Sequence, residues 1–345
     1  MSKVTNIRTF MTGLALGAGL VSTAMAQDKA LIDAAKKEGA VTWYTTQIIN
    51  QFARPAAEAF EKKYGVKVDY VRADSNQVAL RIVTESKAGR PIVDVFDGTT
   101  VTPILKKEGL VERWIPESAK RFGPEYYDKE GYWIATNLYV LTPGYNTSMV
   151  TKAQAPKTWN DLLDPKWKGK MAWNASSSTS AGPGFIGLVL AELGQDKGMD
   201  YIKALSKQNV TGLKVAARQV LDQVIAGEYP IALEIFNNHA VISAQQGAPV
   251  DWIAMNPSLA VLSVLSIIKN APHPNAAKLL VEFLASEEGQ KLYRDADYMP
   301  VDPNVPPRDP SLRPDGKNFR AIYMTPEQVQ DAMPRWTDIY KQYFN

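Results

Sequence analysis

The sequence predicts an α/β protein of two lobes, each a mixed, mostly parallel sheet flanked by helices, with a two-stranded hinge between them. Strand and helix patterns alternate from the start of the chain and begin again near residue 167. Strands separated by helices of this length indicate right-handed βαβ units and a parallel sheet. Two extended stretches without helical periodicity, 132–146 and 259–269, are expected to cross between the two units. The length of 345 residues also suits about two domains.

The first unit contains three strand patterns separated by two helix patterns. In chain order they are a strand at 40–44, a helix at 49–64 that stops at Gly65, an alternating strand at 66–71, a helix at 78–88 and a buried strand at 94–97 that ends in Gly98. In such sheets, ligands bind at the carboxyl ends of the strands, where helix N-termini also point.

The second unit begins with a strand that leads into a serine-rich loop. Its patterns are a strand at 167–173, the loop at 174–180, a helix at 184–193, an amphipathic helix at 218–226 and a strand at 230–236. The alternative to a two-stranded hinge is a pair of independent domains on one linker. No Pro/Gly/Ser-rich flexible linker lies between the units, which favours the hinge.

The N-terminal segment 1–26 has the pattern of a secretory signal peptide. Lys3 and Arg8 precede an uncharged apolar stretch at 10–24, and Ala24 and Ala26 form a small-x-small cleavage site. A membrane anchor is the alternative, but a span needs about 20 strongly apolar residues and this stretch contains several glycines and hydroxyl residues. We therefore expect cleavage after Ala26 and a mature protein in the periplasm.

Composition excludes several classes of function. The formal net charge is only +3 and no run of five or more Lys and Arg occurs, so no nucleic-acid partner is expected. The chain has no cysteine and only two histidines. Disulfides, thiolate nucleophiles, iron–sulfur clusters and most zinc sites are thereby excluded, and no cofactor is expected.

Several motifs, taken in order, resemble a known family. They are the segments 34–39, 226–228 before 236–238, 270–278 and 283–290. The chain resembles bacterial extracellular solute-binding proteins of ABC importers, in the branch of ferric-ion and small-anion receptors. The resemblance implies a type II binding protein with lobe 1 at 27–137 and 262–301 and lobe 2 at 138–261 and 302–345. It also implies a monomer whose partners are a small anionic solute and an inner-membrane ABC permease.

The candidate ligand residues of lobe 2 surround the serine-rich loop. Ser177, Ser178 and Thr179 end a strand and begin a helix, where free N–H groups and the helix dipole favour an anion. A flexible loop with one capping residue is the alternative. Arg218 begins a helix against its dipole, which suggests a negative neighbour, although a surface arginine fits equally. Asn238 and His239 follow a strand and either bind ligand or only shape a turn.

A G-x-G-x-x-G match at 182–187 overlaps this loop. The glycines follow the loop instead of directly following the strand, so we interpret the match as chance and expect no dinucleotide.

The candidate ligand residues of lobe 1 follow its first and third strands. Thr46 and Gln47 follow the first, and Asp97 and Thr99 follow the third. Tyr139, in the first hinge crossing, is the aromatic side chain that we expect to face the ligand.

The chain departs from ferric-binding members of the family at the metal ligands. Those proteins hold iron with two consecutive tyrosines after the Asn-Asn pair, whereas this chain has His239 and Ala240 there. Fe(III) prefers anionic oxygen ligands, so the residues favour a small organic or phosphorus-containing anion bound without metal. Ferric ion with a ligand-supplied chelator is the alternative. An enzyme is a third, weaker hypothesis, with Asp97 and Glu234 as candidate acid and base unless Glu234 only neutralises Arg218.

Overall fold

The computed structural model describes residues 29–344, and the predicted signal peptide lies outside them. Helix α1 covers residues 29–38. The next elements are β1 (Ala40–Thr45), a π-helical turn (Ile49–Ala53), α2 (Arg54–Tyr64), β2 (Lys67–Arg72), α3 (Ser75–Lys87), β3 (Val95–Gly98), α4 (Val101–Lys107) and the long strand β4 (Ile134–Asn146). The alternation predicted for the first unit is confirmed. Helix α2 ends as expected at Gly65, whose φ of 68° is the left-handed conformation that stops helices.

The second half repeats the alternation and then returns. It contains β5 (Met171–Asn174), α5 (Gly182–Leu193), α6 (Gln195–Ser206), β6 (Thr211–Leu213), α7 (Ala217–Ile225), β7 (Ile231–Phe236), α8 (Asn237–Gln245), β8 (Val250–Trp252), β9 (Ser258–Ile267), α9 (Pro274–Ala285), α10 (Glu287–Asp295), β10 (Met299–Pro300), β11 (Ala321–Met324) and α11 (Pro326–Phe344). No helix within 29–344 is both long and apolar enough to cross a membrane.

The strands form a sheet in the order β2-β1-β3-β9-β4-β7-β5-β6. Strands β1, β2 and β3 are parallel to one another, and so are β5, β6 and β7. Between the two parallel groups, β4 and β9 pair antiparallel, from Ile134 with Leu265 to Leu141 with Leu259. These two strands are the extended stretches that the sequence predicts, and the α/β expectation with mostly parallel units is confirmed.

The buried apolar side chains divide into two large cores. The first core takes its residues from 35–140 and 260–319, and the second from 141–261 and 324–340. On β4 the change falls between Val140, in the first core, and Leu141, in the second. A third, smaller cluster lies between the sheet and helices α7 and α8. The antiparallel pair of β4 and β9 therefore belongs to both large cores.

Candidate binding site

Three helices of the second half begin at one edge of the sheet. Strands β5, β6 and β7 are parallel neighbours, and α5, α7 and α8 follow their carboxyl ends. Helix N-termini carry unpaired N–H groups and a partial positive charge, so this edge favours an anion.

The serine-rich loop presents backbone donors at the start of α5. Asn174 Oδ1 accepts the Ser176 N–H at 2.7 Å and fixes the loop to the end of β5. Within residues 29–344, the N–H groups of Thr179 and Ser180 have no acceptor, and no side chain caps α5 at Ala181. The Ala181 N–H closes a hydrogen-bonded turn over Thr179 and Ser180. Two free donors at the N-terminus of a twelve-residue helix are groups to which an oxyanion can bind.

The serine hydroxyl groups of this loop are already paired, whereas the Thr179 hydroxyl has no hydrogen bond within residues 29–344. Ser177 Oγ lies 2.6 Å from Thr337 Oγ1 of α11, and Ser178 Oγ lies 3.2 Å from Ser176 Oγ. Thr179 is buried, whereas Ser177 is exposed. The loop therefore has a defined shape, and its serine hydroxyls can turn towards a ligand only by exchanging partners.

Packing explains the three glycines at 182–187. A Cβ on Gly182 would lie 2.4 Å from the Tyr340 ring, and one on Gly187 would lie 2.6 Å from the Trp336 ring. A Cβ on Gly184 would lie only 1.9 Å from the carbonyl oxygen of Thr179. Two of these glycines let α11 lie against α5, and the third lets α5 begin directly beneath the loop. Close packing is therefore sufficient to explain the three glycines without a bound dinucleotide.

Arg218 is held by a neighbour on its own helix. Its Nη2 lies 2.8 Å from Asp222 Oδ1, a surface ion pair at i, i+4 spacing. Both residues line a groove of about 420 Å³ between α7 and the end of α8, with Ser243 and Ala248 on the opposite side. The negative neighbour expected from the sequence is thus Asp222, and the idea that Glu234 neutralises Arg218 is wrong.

Asn238 and His239 lie in the first turn of α8. Asn238 is 5% exposed, and its Nδ2 has no hydrogen-bond partner among the residues that the structure describes. His239 packs edge-to-face on Phe236, with 5.0 Å between ring centroids. The pKa of His239 is lowered to about 4, mainly by burial. The positive charge of Arg218 contributes to this lowering, and the negative charge of Asp222 opposes it more weakly. At neutral pH, His239 can therefore donate one hydrogen bond but adds no positive charge.

On the first-lobe side, Thr46 and Asp97 bind each other. The Thr46 N–H and hydroxyl donate to Asp97 Oδ1 at 2.8 and 2.7 Å, and Trp43 Nε1 donates to Oδ2 at 2.8 Å. Asp97 is fully buried, and burial raises its pKa above the ordinary aspartate value although these donors oppose the shift. Asp97 thus fixes the loop after β1. Thr99, two residues further on, is half-buried and makes no side-chain hydrogen bond within 29–344.

Gln47 and Tyr139 join that loop to the two central strands. Gln47 Nε2 donates to Asn137 Oδ1 on β4 and to Ser263 Oγ on β9, both at 3.1 Å. Tyr139 donates to Gln47 Oε1 at 3.0 Å, and its ring contacts Phe236 of the second core with centroids 5.0 Å apart. The side chain of Gln47 is buried in this network. Tyr139 therefore lies where the two cores meet.

A match to a protein family decides what kind of molecule this is. The family model described as bacterial extracellular solute-binding protein matches residues 91–322, about two thirds of the chain. The chain belongs to this family. Its relatives are periplasmic binding proteins of ABC importers with the type II fold.

Named relatives of this solute-binding protein differ in their ligands. A periplasmic protein of Salmonella typhimurium, provisionally named for 2-aminoethylphosphonate binding, is 26% identical over 318 residues, covering 88% of this chain and 85% of the relative. The fructose-6-phosphate-bound AfuA of Actinobacillus pleuropneumoniae is 25% identical with a TM-score of 0.74, covering 89% and 98% of the two chains. Iron-bound HitA of Pseudomonas aeruginosa is 25% identical with a TM-score of 0.72, covering 87% and 99%. The two-lobed type II architecture expected from the sequence is confirmed.

Sequence reasoning missed several residues of the solute-binding protein near the candidate site. Asn137 and Ser263 hold Gln47, and Tyr298 accepts the Ile48 N–H at 3.4 Å. Arg72 ends β2, so the rule that selected residues after β1 and β3 would also have found it. No local signal marks the others, because their roles depend on partners far away in the chain.

Two observations concern the alternative chemistries. Within residues 29–344, no group of three or more His, Asp and Glu side chains is arranged to hold a metal ion. Glu234 is fully buried on β7, and neither of its carboxyl oxygens has a hydrogen-bond partner in this part of the chain. Burial raises its pKa well above the ordinary glutamate value. A base for catalysis must reach its substrate, and neither Glu234 nor Asp97 is exposed.

Proposed function

We propose that this solute-binding protein captures a small organophosphorus or carboxylate anion without a metal and delivers it to an inner-membrane ABC permease. The observation that carries the proposal is the pair of unpaired N–H donors of Thr179 and Ser180, at the uncapped start of α5. Buried polar groups normally have partners, so these donors favour a bound oxyanion. The provisional name of the Salmonella relative and the sugar phosphate bound to AfuA support a phosphorus-containing ligand.

The proposed mechanism is closure of two lobes on the anion. Lobe 1 comprises 27–137 and 262–301, and lobe 2 comprises 138–261 and 302–345. The division of the apolar cores supports most of these bounds, but Leu312 and Phe319 belong to the first core. The anion docks on the serine-rich loop with Asn238 and His239 beside it, and Arg218 contributes at longer range. Thr46 and Thr99 approach from lobe 1, above a floor made by Gln47 and Tyr139. Contacts with both lobes would favour the closed state, which the permease recognises.

The location proposed for this process is the periplasm, reached by cleavage of the signal peptide after Ala26. A periplasmic location is shared by the relatives. Mass spectrometry of the exported protein should give a mature chain that begins at Gln27.

Ligand binding is tested directly on the mature protein after unfolding and refolding to remove bound solutes. We expect 2-aminoethylphosphonate, fructose-6-phosphate or another small phosphorus-containing anion to raise the melting temperature. At a ligand concentration of 100 Kd the stabilisation is about 2.7 kcal/mol, which amounts to roughly 4 °C for a chain of this length. Calorimetric titration then gives the affinity. Binding of neutral sugars or amino acids in place of every anion tested would contradict the proposal.

Ferric ion is the second candidate ligand because HitA binds iron. Against it, His239 and Ala240 stand where the resemblance implies two phenolates, and a neutral imidazole with amides is a poor Fe(III) site. We expect no visible phenolate-to-iron charge-transfer band when ferric citrate is added to the wild type or to His239→Tyr. The double variant His239→Tyr/Ala240→Tyr restores both phenolates and is the matched comparison. A band in the wild type or the single variant would overturn the metal-free proposal.

A further inference from the structure

Arg72 lies at the end of β2, whereas the ligand residues predicted for this lobe follow only β1 and β3. It is the last residue of β2 and pairs in register with Thr45, the last residue of β1. Strands β1, β2 and β3 are parallel, so Arg72 lies at the same edge as Thr46 and Thr99. This is the edge of the first lobe where a ligand is expected.

The guanidinium of Arg72 is exposed and unpaired. Within residues 29–344, no carboxylate lies within 4.0 Å of it and its side chain makes no hydrogen bond. Two nearby arginines differ in this respect, since Arg81 pairs with Glu85 at 2.8 Å and Arg54 donates to Tyr70. Arg72 therefore retains its donors for a group from outside this part of the chain.

The charge of Arg72 reaches the region where the two cores meet. Burial raises the Tyr298 pKa to about 12, and Arg72 partly opposes that rise, so the guanidinium lies close enough to act on the phenol. The Tyr298 hydroxyl accepts the Ile48 N–H, and the Tyr298 ring contacts Tyr139 with centroids 5.8 Å apart.

Apart from Thr99, whose neutral hydroxyl has no partner within 29–344, the other polar groups of this edge are bound to one another. Asp97 takes both donors of Thr46, and Gln47 is bound to Asn137, Ser263 and Tyr139. Asp97 also contributes acceptors, which an anion cannot use. The first lobe therefore needs another donor if it is to hold an anion.

We propose that Arg72 is the first-lobe cation of the binding site and binds an oxygen of the phosphonate or phosphate group that the serine-rich loop holds from lobe 2. This inference rests on the proposed function. The planar fork of an arginine matches the oxygens of such a group and can bind two of them at once, which lysine cannot do. The ligand is then clamped between free N–H groups on one side and a guanidinium on the other, so Arg72 favours the closed state.

The test compares Arg72→Ala and Arg72→Lys with Arg90→Ala by calorimetric titration. Arg90 is a matched control because it is also exposed and also lacks a side-chain partner within 29–344. It lies between α3 and β3, at the opposite edge of the sheet. The probes are 2-aminoethylphosphonate, fructose-6-phosphate and inorganic phosphate, used with the mature protein.

We expect Arg72→Ala to weaken binding of the preferred anion by roughly 10- to 150-fold, as for loss of a charge-assisted hydrogen bond. Arg72→Lys should recover part of the loss, and Arg90→Ala should stay within about 2-fold of the wild type. The melting temperature of the ligand-free protein should not change, because the side chain is exposed. Wild-type affinity in Arg72→Ala would overturn the inference and leave the proposed function intact. A wild type that binds none of the three anions would overturn both.

Discussion

Gly184→Ala is expected to weaken anion binding by at least about 100-fold. The added Cβ would lie 1.9 Å from the carbonyl oxygen of Thr179 and 2.5 Å from its carbonyl carbon. Both are backbone atoms, so the serine-rich loop itself must move. That movement displaces the N–H donors of Thr179 and Ser180, and loss of two hydrogen bonds to a charged group at about 1.5–3 kcal/mol each accounts for the effect. Calorimetric titration with the preferred anion measures it.

Gly198→Ala is the matched control because it makes the same substitution in the neighbouring helix α6. Its Cβ would lie 3.0 Å from the end of the Leu190 side chain and 3.3 Å from the Leu190 Cα, so α5 need shift by only a few tenths of an ångström at a point far from the serine-rich loop. In a helix interior alanine is favoured over glycine by about 1 kcal/mol. We expect this variant to bind like the wild type. Gly184→Ala should also unfold at lower urea concentration, since overpacking costs about 1–3 kcal/mol. Full affinity in Gly184→Ala would exclude the loop as the anion site.

Glu234→Gln is expected to make the protein more stable than the wild type at pH 8 and not at pH 4. The Glu234 pKa is raised by burial in the folded state, so the folded protein holds its proton in a pH range where the unfolded chain has lost it. Stability from this group is complete below the unfolded pKa and is lost as pH rises towards the folded pKa. Between the unfolded and the folded pKa, each unit of pH lowers the free energy of unfolding of the wild type by about 1.4 kcal/mol. Glutamine does not titrate, so the variant does not lose this stability. Urea unfolding at several pH values measures the difference.

Glu228→Gln serves as the control for Glu234→Gln. Glu228 is exposed just before β7, so the same change of side chain should leave the pH dependence of stability as in the wild type. Equal pH dependence in Glu234→Gln and the wild type would mean that Glu234 is solvated or has a partner in solution. Other buried acids, such as Asp97, contribute equally to both proteins and cancel in the comparison.

The fold was predictable because its signals are local. The alternation of strand and helix, the stop at Gly65 and the mostly apolar run of β9 each depend on residues within about ten positions of one another. The two hinge strands were recognisable from the absence of helical periodicity. Their antiparallel pairing follows once two parallel units must be joined in one sheet.

The candidate site was only partly predictable because its contacts are long-range. The serine-rich loop was found from its composition and its place before a helix. The role of Gln47 depends on Ser263, which is 216 residues away, and no pattern in the sequence relates the two. Arg218 is a case in which a local signal was present. Its ion-pair partner, Asp222, lies four residues away on the same helix, a spacing that is readable from the sequence.

The antiparallel pair of β4 and β9 has a mechanical consequence. Both cores attach to this one hydrogen-bonded ribbon, and Gln47 fastens the first-lobe loop to both of its strands. The two lobes are therefore not joined by a flexible linker. Any rotation of one lobe against the other must twist this pair of hydrogen-bonded strands. If the proposed closure takes place, part of the binding free energy must therefore be spent on deforming this pair of strands.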